Sequence, residues 1–355
     1  MTDYIEIDFI GVETKKSGDA IPIRYLVNQK KGIHIVDGGY LETGDQIIEH
    51  IHTHYGDAKI DHVILTHPDQ DHANGLRKVL EECEVGALWI NRPWLYAEQI
   101  IDRFPTYNSI KALQKRLRDA YEPTAILEDI ANERRIPIFS PLQGCEIGPF
   151  IVLAPSKSRY LDLIVESDKT PTTAEQTDQS RSSLLFNKIK EAASYIKSAW
   201  GIESFPDTGT SSENEMSVVQ FARINGKRIL LTADAGKEAL AEAANYLENI
   251  GEQLPGLDLF QVPHHGGRHN LSTEILDRWL GPCLPNYCQT PTWSAVCSSA
   301  KLDEAHPKKV VIRAIMHRGG HFAATEGLNI CWSNGITREG WGPIPQAPYP
   351  EEQED

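Results

Sequence analysis

No stretch of the 355 residues approaches the roughly 18–20 consecutive apolar residues that a membrane-spanning helix requires. The N-terminus, MTDYIEIDFIG, carries acids where a signal peptide needs basic residues, so a cytoplasmic location with no membrane association is expected. Positive charge is scarce. Lys and Arg number 35 against 50 Asp and Glu, and the net charge of −15 argues against broad, non-specific binding to nucleic acid. It does not exclude a nuclease, because bound divalent cations supply local positive charge. The six cysteines (83, 145, 283, 288, 297 and 331) contain no Cys-x2-Cys pair and are expected as reduced thiols, with 283, 288 and 297 the one trio that could form a zinc site. No flavin or dinucleotide fingerprint is present to deliver electrons, and no internal repeat recurs at a period of 20–50 residues.

What is present is an ordinary globular composition, 40% hydrophobic and 24% charged, in a chain long enough to bury a large core. Strands are predicted over 4–12, 21–27, 32–36, 86–91 and 150–153, with helical stretches over 44–54 and 74–82 and a helix-rich region from 95 to 135 broken at Pro123. Residues 166–183, ESDKTPTTAEQTDQSRSS, are polar and without apolar spacing, so they read as a mobile loop. Residues 184–200 space Leu185, Ile189, Ala192, Ile196 and Ala199 three or four apart, as an amphipathic helix does. That helix could pack on its own domain or dock a protein partner. Strand-like runs resume at SVVQFARING, KRILLTADAG and LDLFQVPHHGG, with helices at 237–250 and 271–280, a segment around 310–315 and a last strand at 328–332. The tail, 349–355, is expected to be disordered.

The chemistry concentrates in LTHPDQDHANG, residues 65–75. Between His67 and His72 lie two histidines and two aspartates, directly after the apolar run Val63-Ile64-Leu65. Imidazole and carboxylate are the usual ligands of zinc, manganese and iron, and a tight turn leaving a strand can aim several of them at one point. An acidic helix cap or a plain surface turn would explain one such residue. Four within six positions point to a metal.

The run His67-Pro-Asp69-Gln-Asp71-His72 resembles the His-x-His-x-Asp-His signature of the metallo-β-lactamase superfamily, with Asp69 in place of the second histidine. That variant is similar to the hydrolase domain of ComEC-like DNA-uptake proteins and related phosphodiesterases. Further motifs follow in order: Gly18-Asp19-Ala20, Asp37 in IHIVDGG, Asn214-Glu-Met-Ser217, ILLTADAG with Ala233 where glycine is usual, VPHHGG with Gly267 for serine, and His306-Pro307. The resemblance implies a four-layer αββα sandwich, an α/β (α+β) fold, as one domain over 1–348 with an insertion at 157–213.

It also implies a centre of one or two divalent ions. His67 and Asp69 would face site one, Asp71 and His72 site two, and Asp234 would bridge them. One of His264 and His265 would complete site two, and the other would lie near substrate or behind the ligands. Asp37 would orient the histidine turn by hydrogen bonds, and Asn214 stands about where a third site-one histidine is expected. A carboxylate at Asp69 makes site one richer in oxygen, which favours manganese over zinc. Water activated by the ions and hydrogen-bonded to Asp71 would attack phosphorus, and His264, His265 or His306 would stabilise or protonate the departing oxygens. Arg268 and Lys301 are candidate phosphate contacts. His269, His317 and His321 match nothing in the pattern and read as surface or packing residues.

The function implied is a phosphodiesterase or nuclease acting on DNA, RNA or a nucleotide. Hydrolysis of a smaller phosphodiester fits the same chemistry and the acidic surface better. A lactam, lactone or thioester substrate would be expected to keep a histidine-rich site one, and a metal-holding scaffold would be expected to have lost ligands that this chain retains.

Overall fold

The structure, a computed structural model, describes residues 2–12, 14–56, 59–170 and 195–354. Two seven-stranded sheets face each other. The first contains β1 (Tyr4–Phe9), β2 (Ala20–Val27), β3 (Lys30–Gly38), β4 (Ile60–Ile64), β5 (Val85–Trp89), β6 (Ile138–Phe139) and, from the far end of the chain, β15 (Ile330–Asn334). The second contains β7 (Glu146–Ile147), β8 (Phe150–Ala154), β10 (Val219–Ile224), β11 (Lys227–Leu231), β12 (Leu259–Gln261), β13 (Trp293–Cys297) and β14 (Gly320–Ala324). Their spatial orders are β15-β1-β2-β3-β4-β5-β6 and β14-β13-β12-β11-β10-β8-β7.

Both sheets are mixed, and in the same way. From β15 to β3 the pairings are antiparallel and from β3 to β6 parallel. The second sheet is antiparallel from β7 to β11 and parallel from β11 to β14. Alternation along the strands sets the layers, because successive side chains point to opposite faces. Ile5, Ile7, Ile21, Ile23 and Val36 of the first sheet meet Ile229, Leu231, Leu259 and Val296 of the second in one buried core. The opposite face of the first sheet, with Ile33, Ile35 and Val63, packs against Leu76, Val79 and Leu80 of the helix Gln70–Glu82. Leu230, Phe260 and Ala295 do the same for the helices Lys237–Asn249, Thr273–Leu280 and Lys309–His317. This is the expected αββα sandwich.

The parallel strands fix where a site can form. Their carboxyl ends lie along one edge of each sheet, and loops leaving those ends are where open α/β sheets hold ligands. The turns after β3, β4, β11, β12 and β13 all leave such ends, and residues 65–72, 232–236 and 262–270 are among them.

Two local expectations need correction, and two more lie largely outside the described residues. Pro123 opens a helix instead of breaking one: it occupies the first turn of Glu122–Glu133, where its missing N–H has no intrahelical partner to lose. The expected disordered tail pairs as β16 (Glu352–Glu354) with β9 (Tyr195–Lys197), and Glu354 accepts the backbone N–H groups of Lys309 and Val310 at 3.0 Å each. A carboxylate at the start of a helix offsets the unpaired amides there, which explains how an acidic tail is held. Of the expected helix 184–200, residues 184–194 lie outside the described residues, while Tyr195–Lys197 are strand. Likewise, 171–183 of the expected mobile loop lie outside the described residues, but Ser167 and Thr170 at its start are buried.

Candidate metal centre

The first turn is assembled around Asp37. This residue, next to last in β3, lies in the left-handed region (φ 59°), a conformation that costs an ordinary side chain on the order of 1–3 kcal/mol. Its carboxylate accepts from the Thr66 N–H at 2.8 Å, from the Thr66 hydroxyl at 2.6 Å and from His72 Nδ1 at 2.7 Å. The helix beginning at Gln70 can come this close only because of Gly75. A Cβ there would lie 1.9 Å from the Gly38 carbonyl oxygen. Asp37 thus sets the tautomer of His72: Nδ1 carries the hydrogen and Nε2 presents a lone pair.

The second turn supplies the opposing ligands. His264, His265 and Gly266 all have positive φ (48°, 52° and 83°), which curls the chain so that both imidazoles face the first turn. His265 Nδ1 donates to the Ser298 carbonyl at 2.8 Å, leaving Nε2 as its free ring atom. His264 Nδ1 lies 2.9 Å from Asn270 Oδ1, and the Asn270 amide is itself committed to the Asp234 carbonyl at 2.8 Å. Asn214, which stands about where a third site-one histidine is expected, abuts the same His264 nitrogen at 2.9 Å and reaches Thr210 Oγ1 at 2.6 Å. It braces a ligand rather than facing the centre.

Asp234 lies between the turns, and its two oxygens face two half-sites. Oδ2 is 3.7 Å from His67 Nε2 and 3.8 Å from His264 Nε2, and His67 Nε2 is also 3.7 Å from Asp69 Oδ2. Oδ1 is 3.4 Å from His72 Nε2 and 4.0 Å from His265 Nε2, and His265 Nε2 is 3.5 Å from Asp71 Oδ2. Ligands about 2.0–2.2 Å from one ion lie roughly 3–4 Å from each other, as these do. His67 Nε2, His72 Nε2, His265 Nε2 and Asp234 Oδ1 are all buried without a hydrogen-bond partner. Buried polar atoms are seldom left in that state. Lone pairs facing lone pairs call for a cation between them, so the residues fit a divalent ion, in one half-site or in both.

The electrostatics carry the same demand. Burial works to lower the His265 imidazole, but Asp234, Asp71 and Asp19 outweigh it and raise it to about 9. Burial opposes charge on His72 too, and Asp234 and Asp37 overcome it and hold that ring well above the usual range. For Asp234, burial works upward and the rings of His72, His264 and His265 pull it well below the usual carboxylate range. His264 is lowered by burial, with His265 and His306 adding repulsion, so this ring stays a neutral donor.

Other expected residues fall around this centre. His306 stacks on His264 at 5.7 Å between centroids, and its Nδ1 lies 3.2 Å from Asp303 Oδ2. Arg268 sits in the turn directly after the histidine pair, and Lys301 is exposed in the loop that follows β13. His317 is buried against Glu203 at 2.9 Å, away from the centre, as a packing residue. The trio Cys283, Cys288 and Cys297 forms no ligand cluster among the described residues.

Several residues of the site were not singled out from sequence. Asp19, fully buried, is grouped with Asp234 and His265, and its Oδ2 accepts from Gln261 at 3.0 Å. Asp303 also accepts from the Ser17 hydroxyl at 2.8 Å, and Asn270 and Lys169 complete the set. Asp19 alone had a signal, its place in the Gly-Asp-Ala turn.

Residues 25–124 match the sequence model of the Metallo-beta-lactamase superfamily, a span that holds β3, β4 and the whole first turn. Among solved structures, the chain is similar to the hydrolase AbOPH in the beta-lactamase superfamily (11% identity, 65% of this chain and 68% of that one, TM-score 0.32). It is also similar to an E377D mutant of the CmlA beta-hydroxylase (12%, 92% and 53%, TM-score 0.42) and to AidC, a dizinc quorum-quenching lactonase (8%, 65% and 68%, TM-score 0.28). No protein of curated function matches the chain.

Proposed function

We propose that this metallo-β-lactamase sandwich is a metal-dependent hydrolase and that its substrate is a phosphodiester. The observation that carries the reading is the convergence of three buried, unpartnered imidazole nitrogens, of His67, His72 and His265, on the two oxygens of Asp234. Manganese or zinc held by Asp71, His72, His265 and Asp234 would supply Lewis acidity and bring the ionisation of a water toward neutral pH.

The chain's own groups perform the rest. Asp71 is the more open of the acids opposite His265 (26% exposed, against 4% for the ring) and is placed to accept a hydrogen from the attacking water. His264 and His306 stack on the open side, 31% and 24% exposed, where the departing oxygen of a substrate would lie. With Nδ1 engaged by Asp303, His306 can deliver a proton only from Nε2. A phosphodiester suits an Asp-rich, ion-filled centre better than a carbonyl substrate does, and the ComEC-like resemblance of the motifs supports nucleic acid within that class. A cavity of about 600 Å³ lined by His306, Lys309 and Phe322 borders the centre through His306 alone, and a small phosphodiester reaching the ions from that side would fit it.

The test is hydrolysis of bis-p-nitrophenyl phosphate by chelator-stripped protein, resupplied separately with Mn²⁺, Zn²⁺ and Mg²⁺. Activity restored by a metal and absent from Asp71→Ala is the expected result, and its salt dependence on DNA against cyclic nucleotides then separates polymer from small substrate. Turnover of a lactone or thioester with none on phosphodiesters would overturn the substrate assignment.

A further inference from the structure

One charged group at the centre comes from outside the two ligand turns. Lys169 follows the helix Lys157–Glu166, and its ammonium forms an ion pair with Asp69 Oδ1, while Asp69 Oδ2 faces His67. The contact joins residues 100 positions apart and is built, not incidental. The Lys169 N–H is held by Ser167 Oγ at 3.1 Å and by Glu213 Oε1 at 3.4 Å. Ser167 also donates to Glu213, and Thr170 is buried against the Tyr121 hydroxyl at 3.0 Å. Glu213 is the neighbour of Asn214, which braces His264. One short structural unit therefore touches both Asp69 and His264, the two more exposed ligands of the first half-site.

We infer that Lys169 supplies a fixed positive charge at the first half-site, so that the protein holds one divalent ion tightly, at Asp71, His72, His265 and Asp234, and a second only weakly. This rests on the metal-centre reading and specifies how that centre is filled. An ammonium already on Asp69 draws off the negative charge that the first half-site offers. It would also repel a dication bound to the other oxygen of the same carboxylate. In the other half-site the acids are faced by imidazoles: Asp71 pairs with His265, and His72 with Asp37. Lys169 is thus a positioning residue that acts through Asp69, and it sets metal stoichiometry.

The experiment uses the whole 355-residue chain, stripped with a chelator and dialysed against graded free Mn²⁺ and, separately, Zn²⁺, with bound metal counted by atomic emission. Wild type is expected to hold one equivalent tightly and a second at much higher free metal. Lys169→Met should tighten that second equivalent on the order of tenfold or more, since a unit charge acting on a dication at about 5 Å is worth that much even in a water-like dielectric. Lys169→Arg, which keeps the charge, should behave as wild type, a rescue that a merely packing role would not produce. Lys169→Gln serves as a second neutral variant if the methionine protein does not fold. Two equally tight equivalents in wild type, or a second equivalent unmoved by removing the charge, would overturn the inference while leaving the metal centre standing. No bound ion in any variant would overturn the metal centre itself.

Discussion

The two half-sites share Asp234 but are made differently. On the Asp234 Oδ1 side, His72 and His265 are buried, and each has its far nitrogen fixed by a group of the sheet ends, Asp37 or the Ser298 carbonyl. On the Oδ2 side, Asp69 and His264 are 32% and 31% exposed, and their partners include Lys169 and Asn214, from the segment between β8 and β10. One half-site belongs to the sandwich. The other takes Lys169 and Asn214 from that segment. A fold of this kind can therefore keep its chemistry constant on one side while altering charge and occupancy on the other through the segment that joins two strands.

The largest effect should come from the residue both sides use. Asp234→Asn keeps the volume but removes the charge that His67, His72, His264 and His265 face. Loss of both bound equivalents and a fall in phosphodiester hydrolysis of at least ~10³-fold are expected, since metal and water activation go together. Retention of a tight equivalent in that variant would show that the half-sites do not depend on Asp234.

The sharper comparison is between the two acids of the first turn. Asp71→Ala should abolish turnover, whereas Asp69→Ala, on the side already holding an ammonium, should lower it only on the order of tenfold. Equal losses would erase the asymmetry. Asp69→His should raise zinc binding at the first half-site, and unchanged stoichiometry would count against the reading of Asp69 as the residue that weakens it.

Asp37 tests whether the closed half-site is rigid because its supports are. Asp37→Ala unpairs the Thr66 N–H, the Thr66 hydroxyl and His72 Nδ1 in a buried place. Metal affinity at the closed side should fall about 10–100-fold, and the protein should lose about 2–4 kcal/mol of stability. Titration of Co²⁺ by its visible spectrum and urea unfolding would measure the two together.

The closed half-site was readable from sequence because its ligands sit in short turns that leave apolar strands: His67 to His72 within six residues, then His264 and His265 side by side. The order of the motifs along the chain supplied Asp234. Lys169 was not readable, since it lies in a polar stretch where a lysine reads as solvated and its contact spans 100 residues. Asp303 is hidden for a related reason: its i,i+3 relation to His306 is visible, but nothing in the sequence fixes their geometry in a loop. The acidic tail was misjudged because composition cannot see that the amides of Lys309 and Val310 stand open to receive Glu354.

The smallest expected effect concerns backbone strain, which the two sheets also handle differently. Asp37, next to last in β3, has φ 59° and Ala233, two residues past β11, has φ 47°, the same left-handed region near the ends of the two strands. Asp37 offsets its strain with three hydrogen bonds through its side chain. Ala233 has no polar side chain with which to do so, and its methyl group is what makes the conformation unfavourable. Its backbone is nonetheless held, by Gln261 Oε1 on its N–H at 3.1 Å and by the His264 N–H on its carbonyl at 3.1 Å, so a residue without a Cβ should keep the turn in place. Ala233→Gly should then stabilise the protein by about 0.5–1 kcal/mol, the relief of strain exceeding the entropy glycine adds to the unfolded chain. The midpoint of urea unfolding should rise with metal stoichiometry unchanged. A fall in the midpoint would mean that Ala233 packs favourably enough to outweigh its φ, and that both strand ends, not Asp37 alone, offset the strain they carry.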